Sequence, residues 1–278
     1  MSTPIPRSHD YELGHSEWEL ARLASQAQLV DPITRDYFKR AGISHAMRIL
    51  DIGSGAGDVA FLAADLVGSG GEVVGTDRSP TAVAAATDRA RQRGLSNVSF
   101  VHGDPCELNF HKPFDAIVGR YVLMFCPDPT AMVKTIVKHL SPERGIVVFH
   151  EVDWRGTQSL PPSPTYDRCC GWIVETFAKV GTHVHMGTAL YQAFLGAGLP
   201  APTMGIQAIV GGKDSDHNGA DLIANLAITM APVMEEHGVT TIDNLAPATL
   251  QARMLAEMDA NASVIIGRFE VGAWAHLG

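Results

Sequence analysis

The residues from Ile49 to Asp58 (Ile-Leu-Asp-Ile-Gly-Ser-Gly-Ala-Gly-Asp) have the composition of a ligand-binding turn. An apolar run enters three glycines at alternate positions, Gly53, Gly55 and Gly57, with Ser54 between the first two. Such glycines let the backbone turn sharply and let a ligand lie directly on it, because no Cβ intervenes. A helix starting just beyond presents unpaired N–H groups to that ligand. The pattern fits a nucleotide-like cofactor, and its spacing excludes two of them. The dinucleotide fingerprint G-x-G-x-x-G counted from Gly53 needs glycine where Asp58 stands, and counted from Gly55 it fails at Ala60. No Gly-Lys-Ser/Thr follows, so the turn is not a P-loop. A carboxylate at the mouth of the helix repels a pyrophosphate but tolerates a ligand carrying an ammonium and a sulfonium.

Two more acids stand at the ends of apolar runs. Glu72-Val-Val-Gly-Thr-Asp77 ends in a carboxylate about twenty residues past the last glycine, where a ribose diol is usually gripped. Val98-Ser-Phe-Val-His-Gly-Asp104 ends in Gly103-Asp104, with Pro105 next. A later run ends in His150-Glu151-Val152-Asp153. Strand alternation puts His150 and Glu151 on opposite faces. One reading makes either of them a general base that meets the substrate; the other has Glu151 and Asp153 hydrogen-bonding the end of the sheet. His183 and His185 form His-x-His with no further Cys or His at ligand spacing, so no metal is expected. They are candidates for a substrate contact or a base, or plain surface histidines.

The elements that position these residues alternate. Strands are expected at Arg48–Ile52, Glu72–Thr76, Val98–Val101, Ala116–Gly119 and Ile146–His150. Helices are expected at Val59–Val67, after Ser79-Pro80 up to Gly94, and from Asp128-Pro129 to near His139. Near-continuously apolar strands such as Gly145-Ile-Val-Val-Phe suit a parallel sheet buried on both faces. In such sheets ligands sit beyond the carboxyl ends of the strands, where all the acids named above lie. Beyond Trp154 the order loosens: a loop over Arg155–Pro164, helices at Tyr166–Val180 and Thr188–Ala197, a sixth strand near Thr203–Val210, helices at Gly219–Glu236 and Pro247–Asn261, and a last strand at Ser263–Ala275. Leu20, Leu23 and Ala27 share a helical face near the N-terminus.

The series Leu50-Asp-Ile-Gly-Ser-Gly-Ala-Gly57, Val74-Gly-Thr-Asp77, His102-Gly-Asp104 and Phe114-Asp-Ala-Ile-Val-Gly-Arg120 resembles the class I S-adenosylmethionine-dependent methyltransferases over roughly Ala46 to Trp154. The resemblance implies a Rossmann-like doubly wound α/β sheet with S-adenosylmethionine as cofactor. It implies that Asp51, Gly53, Ser54, Gly55 and Gly57 hold the amino-acid end of the cofactor, though Asp51 is also read as an acid that only holds the loop. Asp77 would take the ribose hydroxyls and Arg78 one face of the adenine. Gly103, Asp104 and Pro105 would meet the adenine, with Asp104 on its amino group. Arg120 and Tyr121 would flank the methionine part. Tyr11 and Gln26 are candidates to close over the cofactor, with core or surface placement as the alternative. In the family the sixth and seventh strands usually form a hairpin. Here a long helical insertion between them suggests a cap.

Three segments are expected: an N-terminal helical cap segment over 1–45, a cofactor-binding core over 46–154, and over 155–278 the rest of the sheet with helical insertions. The cap would comprise the N-terminal helix, Arg155–His185 and the helices between Gly219 and Asn261. Met230, Met234, Met254 and Met258 recur at helical spacing there, as a core seam or an adaptable apolar pocket.

Composition narrows the partners. Apolar residues make up 46% of the 278 residues and charged residues 18%, enough for a sizeable core. The net charge of −9 and the absence of a basic stripe argue against nucleic acid or an anionic membrane as partner. No apolar stretch approaches the roughly 20 residues of a membrane span, and Met-Ser-Thr-Pro-Ile-Pro-Arg does not read as a signal peptide. Cys106, Cys126, Cys169 and Cys170 show no metal spacing, which suits a reduced, cytoplasmic setting. A small-molecule substrate and a homodimer are the expected partners. Four functions remain open: methylation of a small apolar metabolite of secondary metabolism, a cyclisation in the same pocket, methylation of protein or RNA, and nucleotide binding without catalysis.

Overall fold

The computed structural model describes residues 17–212, 215 and 219–278, and the side chains of residues 17–26 and 28 are not among the described groups. Among the described residues eight strands form one sheet. The parallel part comprises β1 (Arg48–Ile52), β2 (Glu72–Asp77), β3 (Val98–His102), β4 (Ala116–Arg120) and β5 (Ile146–Asp153), in the order β3-β2-β1-β4-β5. The long β8 (Val264–His276) runs antiparallel beside β5, and β7 (Thr203–Gly211) pairs with the other edge of β8. This is the doubly wound sheet expected from the motifs, with the antiparallel edge of the resembling family.

The expected caps start the helices. Ser79 Oγ accepts the Ala82 N–H at 3.2 Å, so α3 (Pro80–Gln92) begins where Ser-Pro placed it. Asp128 does the same for Ala131 at the start of α4 (Pro129–Ile136). The Asp58–Val67 helix, α2, follows the glycine turn directly.

Three stretches differ from expectation by more than two residues, and β8 explains two of them. β5 runs on to Asp153 because β8 pairs with it as far as Asp153 opposite Phe269. The Arg155–Pro164 stretch holds a short strand, β6 (Gln158–Leu160), because β8 outlasts β5 and pairs its remaining end with Gln158–Leu160. The third is α1, which spans Glu17–Arg40 and is far longer than the amphipathic patch that revealed it. Its Tyr37 ring lies where a Cβ on Gly272 would stand, at 2.4 Å, so glycine in β8 is what lets α1 sit against the sheet.

The C-terminal insertion is helical. α5 (Pro164–Lys179), α7 (Gly219–Glu236) and α9 (Pro247–Ala260) pack together, α1 touches α7, and the short α8 (Ile242–Leu245) joins α7 to α9. α6 (Met186–Gly196) instead lies on β5 and β8. Met230, Met234, Met254 and Met258 are all buried within this cluster, so they form a core seam. Among the described residues no helix is long and apolar enough to cross a membrane.

Candidate active site

The ends of β1, β2 and β3 form one half of the site. Gly53 (φ +63°) and Gly55 (φ +51°) take the left-handed conformation that favours glycine. A Cβ on Gly53 would stand 2.7 Å from Val122, whereas one on Gly55 would meet nothing within 4 Å. Gly55 therefore marks the open side of the turn, where a ligand can approach the backbone. Asp77 ties the turn to β2: its carboxylate accepts the Gly55 N–H and the Ser79 N–H, each at 2.8 Å. A carboxylate offers about four lone-pair sites, so two remain for a ligand. Asp58 pairs with Arg89 at 2.6 Å and has no free charge to repel an anion.

Asp104 accepts the Cys106 N–H at 2.8 Å and the Arg78 guanidinium at 2.5 Å. Burial pushes its carboxyl up, but the Cys106 N–H and Arg78 outweigh it and leave the group below its ordinary value. Arg78 thus lies on Asp104 rather than free in front of it. Beside the pair lies a pocket of about 200 Å³ lined by Arg78, Cys106, Cys126 and Met132. The Gly103 N–H donates to the Asp77 carbonyl at 2.9 Å, and the Pro105 carbonyl accepts from His139 at 2.8 Å, which fixes this loop to β2 and to the 3-10 turn that follows the Pro129–Ile136 helix.

Asp51 stands apart. It is 1% exposed, and neither carboxylate oxygen has a hydrogen-bond partner. Burial pushes its carboxyl well above the usual range, opposed by the charge of Arg120. The Ser54 hydroxyl is likewise buried without a partner. Native proteins rarely leave such groups unsatisfied, and those they leave call for a ligand or an ion. The cluster of acids and open glycine backbone suits a ligand with an ammonium and hydroxyls.

The ends of β4, β5 and β8 form the other half, and it is buried. Arg120 of β4 reaches α1, where its guanidinium bonds Asp31 at 2.7 Å and the Thr34 hydroxyl at 3.0 Å. Tyr121 follows with φ +57°, unusual for a tyrosine, and its N–H is held by the His150 carbonyl at 3.0 Å. Its phenol donates to Glu270 at 2.6 Å and accepts from Arg268 at 3.2 Å. Glu270 also accepts from Arg268 Nε and from His150 Nε2, both at 3.0 Å. The Tyr37 hydroxyl of α1 donates to the Glu270 carbonyl at 2.7 Å.

Glu270 decides the charge states. Burial raises its carboxyl, but the Arg268 charge and the bonds from His150 and Tyr121 win and hold it at about 2. It is an anion, so His150 Nε2 must carry the hydrogen it donates. Burial lowers the His150 pKa despite that bond, and His150 is neutral. Its Nδ1 then accepts from the Thr34 hydroxyl, 3.0 Å away.

His150 and Glu151 do emerge on opposite faces, but neither is free. His150 has both nitrogens engaged and is fully buried. Glu151 accepts the N–H groups of Val122, Leu123 and Met124 at 2.8, 2.7 and 3.4 Å, holding the turn after β4. Burial pushes its carboxyl up to about 8 against those three bonds. Asp153 is held well below the usual range: burial opposes this, and Arg155 and Thr188 overcome it. His185 Nδ1 bonds Asp153 at 3.1 Å, and His183 Nε2 bonds the Cys126 carbonyl at 2.9 Å. Among the described residues no three His, Cys, Asp or Glu side chains group as a metal site would need. Tyr11 lies outside the described residues, as does the side chain of Gln26, whose backbone belongs to α1.

Sequence reasoning missed Asp31, Thr34, Arg268 and Glu270. The last two carried a readable signal. Gly267-Arg-Phe-Glu-Val puts two charges two residues apart in an otherwise apolar strand, which alternation aims at one face.

The comparisons with known proteins agree with this geometry. A family model described as a methyltransferase domain matches residues 43–180, close to half of the chain. The chain belongs to the class I S-adenosylmethionine-dependent methyltransferases. It is 40% identical over 97 residues to a 2-phytyl-1,4-naphtoquinone methyltransferase of Synechococcus elongatus, covering 34% of this chain and 42% of that one. It is 42% identical over 82 residues to an aklanonic acid methyltransferase of Streptomyces sp. strain C5, covering 29% and 37%. The chain thus aligns with less than half the length of these curated relatives. The crystal structure of the [4+2]-cyclase SpnF shares the fold, with a TM-score of 0.53 and 22% identity over 90% of this chain and 82% of that one. Arg120, Tyr121 and His150 lie inside the family match, while Asp31, Thr34, Arg268 and Glu270 lie outside it.

Proposed function

We propose that this protein transfers the methyl group of S-adenosylmethionine to a small, largely apolar metabolite. The observation that carries the reading is Asp51, a buried carboxylate without a partner beneath a glycine turn that is open at Gly55. The residues fit the cofactor. Asp51, with the Gly53–Gly57 backbone and Ser54, would hold its amino-acid end. Asp77 would take the ribose hydroxyls with its two remaining lone-pair sites. Asp104, with Gly103 and Pro105, would meet the adenine, and Arg78 would cover it after turning from Asp104. Arg120 and Tyr121 would wall the methionine part.

When bound, the cofactor supplies an electrophilic methyl that any nucleophile in line with the carbon–sulfur bond can take. The protein's contribution is then positioning of the two reactants, about 3–3.5 Å apart, and exclusion of water. Helices α1, α5, α7 and α9 would enclose the metabolite. The names of the relatives, which act on a naphthoquinone and on aklanonic acid, support an aromatic or polyketide-like acceptor. We place the protein in the cytoplasm, where its four free thiols stay reduced.

Calorimetry with S-adenosylmethionine and with NADH tests the cofactor, and transfer of a labelled methyl group to a metabolite extract tests the reaction. Binding of the first alone, with label in a small product, is the expected result. Tight NADH binding would remove the cofactor assignment. Cofactor binding with no label transferred to any metabolite would favour a cyclisation in the same pocket.

A further inference from the structure

Among the described residues, His150 and the three carboxylates at the ends of β4, β5 and β8 are already occupied. His150 has both ring nitrogens engaged. Glu151 takes three backbone N–H groups. Asp153 takes Arg155, Thr188 and His185. Glu270 takes Arg268, Tyr121 and His150. What the region has to spare is a donor. The Trp154 side chain is buried at the end of β5, 3% exposed, and its indole N–H has no partner. The buried Arg268 guanidinium lies over the rings of both Trp154 and Tyr121, 5.5 Å and 5.1 Å from their centroids. A buried donor without an acceptor is disfavoured, and native proteins keep few of them without a reason.

We propose that the acceptor substrate is held here as an oxygen anion, an ionised phenol or enol facing Trp154 Nε1–H and Arg268, and that no protein base takes part in its methylation. The proposal rests on the methyltransferase reading above. The step balances without a proton. An oxygen lone pair forms the new O–C bond while the C–S bond breaks and its pair stays on sulfur. The negative charge on oxygen and the positive charge on sulfur vanish together, leaving a methyl ether and a thioether. A hydroxyl conjugated to a carbonyl ionises in solution near neutral pH and meets this requirement. An aliphatic alcohol or a protonated amine would have to shed its proton here, where His150, Glu151, Asp153 and Glu270 are all engaged. His150 and Glu270 become positioning residues: they fix Arg268 and the Tyr121 hydroxyl, which sits at the strained turn after β4.

The test starts by incubating the full chain with methyl-labelled S-adenosylmethionine and an organic extract of the cells that make it. The labelled product is identified, and its unmethylated parent is bound to the protein carrying S-adenosylhomocysteine. Absorbance then follows the ionisation of the bound parent against that of the free one. We expect label on an oxygen and a bound ionisation midpoint at least about one pH unit below the free value, a tenfold preference for the anion. Trp154→Phe keeps the ring and removes the N–H. It should raise the midpoint and weaken binding of the parent about tenfold while S-adenosylhomocysteine affinity stays unchanged. Should that variant not fold, the wild-type midpoint decides alone. Label on nitrogen, on carbon or on an unactivated alcohol overturns the proposal, as does a midpoint at or above the free value. No transferred label, with the cofactor bound, overturns the methyltransferase reading and this proposal with it.

Discussion

The two halves of the site are built by opposite means. Around β1, β2 and β3, the functional side chains sit in or next to strand-end turns, and Asp77 and Asp104 bond to nearby backbone there while Asp51 and Ser54 have no partner. Around β4, β5 and β8, the side chains bond mainly to one another across long sequence separations: Tyr121 to Glu270, His150 to Thr34, Arg120 to Asp31. The first half is held by local backbone geometry and leaves unpaired polar atoms. The second is a closed ionic cluster whose groups depend on each other. Ligand binding and stability should therefore separate, with changes in the first half affecting the cofactor and changes in the second affecting the fold.

Glu270→Gln offers the largest break. It leaves Arg268 buried, 5% exposed, without its counter-charge, and gives His150 or Tyr121 a donor to face. Removing one partner of a buried pair costs about 3–5 kcal/mol, measurable by chemical unfolding. The loss depends on pH. Glu270 titrates near 2 in the fold and near 4.5 when unfolded. The unfolded chain therefore binds the proton first, and the stabilisation, fully present above 4.5, disappears as pH falls towards 2. The gap between wild type and variant should close over that window. His150 acts in the same direction at higher pH: its folded pKa is lowered, so stability falls as pH drops through and below 6.5. A variant within 1 kcal/mol of wild type at pH 7 would mean that the cluster is not coupled as its geometry implies.

Asp77→Ala should do the reverse. A charge-assisted bond to the ribose contributes about 1.5–3 kcal/mol, so S-adenosylmethionine affinity should fall by roughly one to two orders of magnitude. Folding should change little, because the two N–H groups that Asp77 accepts sit at a partly exposed turn that water can reach. Unchanged affinity by calorimetry would remove Asp77 from the site.

The same division sets what was legible in the sequence. Gly53, Gly55, Asp77 and Asp104 could be read because the turn chemistry is contiguous and each acid closes its own strand. The alternation of strands and helices could be read from the apolar runs and the turns between them, and the starts of α3 and α4 from the Ser-Pro and Asp-Pro caps. Asp31 and Thr34 could not be read, since nothing in a helix sequence tells which residue meets a strand 89 or 116 positions away. Glu151 reads equally as a base or as a group bonding the sheet end, because sequence shows a carboxylate at a strand end but not the three N–H groups waiting in the next loop, which decide for the second. The end of β5 was misplaced for a related reason: only the length of β8 determines how far β5 stays paired.

Thr34→Val sharpens the comparison by testing one bond within the cluster. The change keeps the shape and removes the hydroxyl that His150 Nδ1 and Arg120 both contact. A buried group left without its partner costs about 1–3 kcal/mol, so the loss should exceed any surface change and stay below that of Glu270→Gln. Combined with His150→Phe, the two losses should add to less than their sum, because the second change removes the group orphaned by the first. Full additivity in unfolding experiments would show that Thr34 and His150 act independently.

The smallest effect is expected from Arg35→Ala, and it tests what holds α1 in place. Arg35 pairs with Asp65 of α2 at 2.9 Å, but the two side chains are 36% and 60% exposed. Water screens such a pair and its side chains lose rotamer freedom, so exposed pairs contribute about 0.2–1 kcal/mol. The buried contacts of the same helix are different in kind. Tyr37 fills the space above Gly272 and bonds the Glu270 carbonyl, and Asp31 and Thr34 hold Arg120. If α1 is fixed by these, Arg35→Ala should leave unfolding and S-adenosylhomocysteine binding within error of wild type, and 1 M salt should change nothing further. A loss above about 1 kcal/mol, erased in the wild type by salt, would place the anchoring of α1 at its surface and reduce the buried cluster to a passive wall.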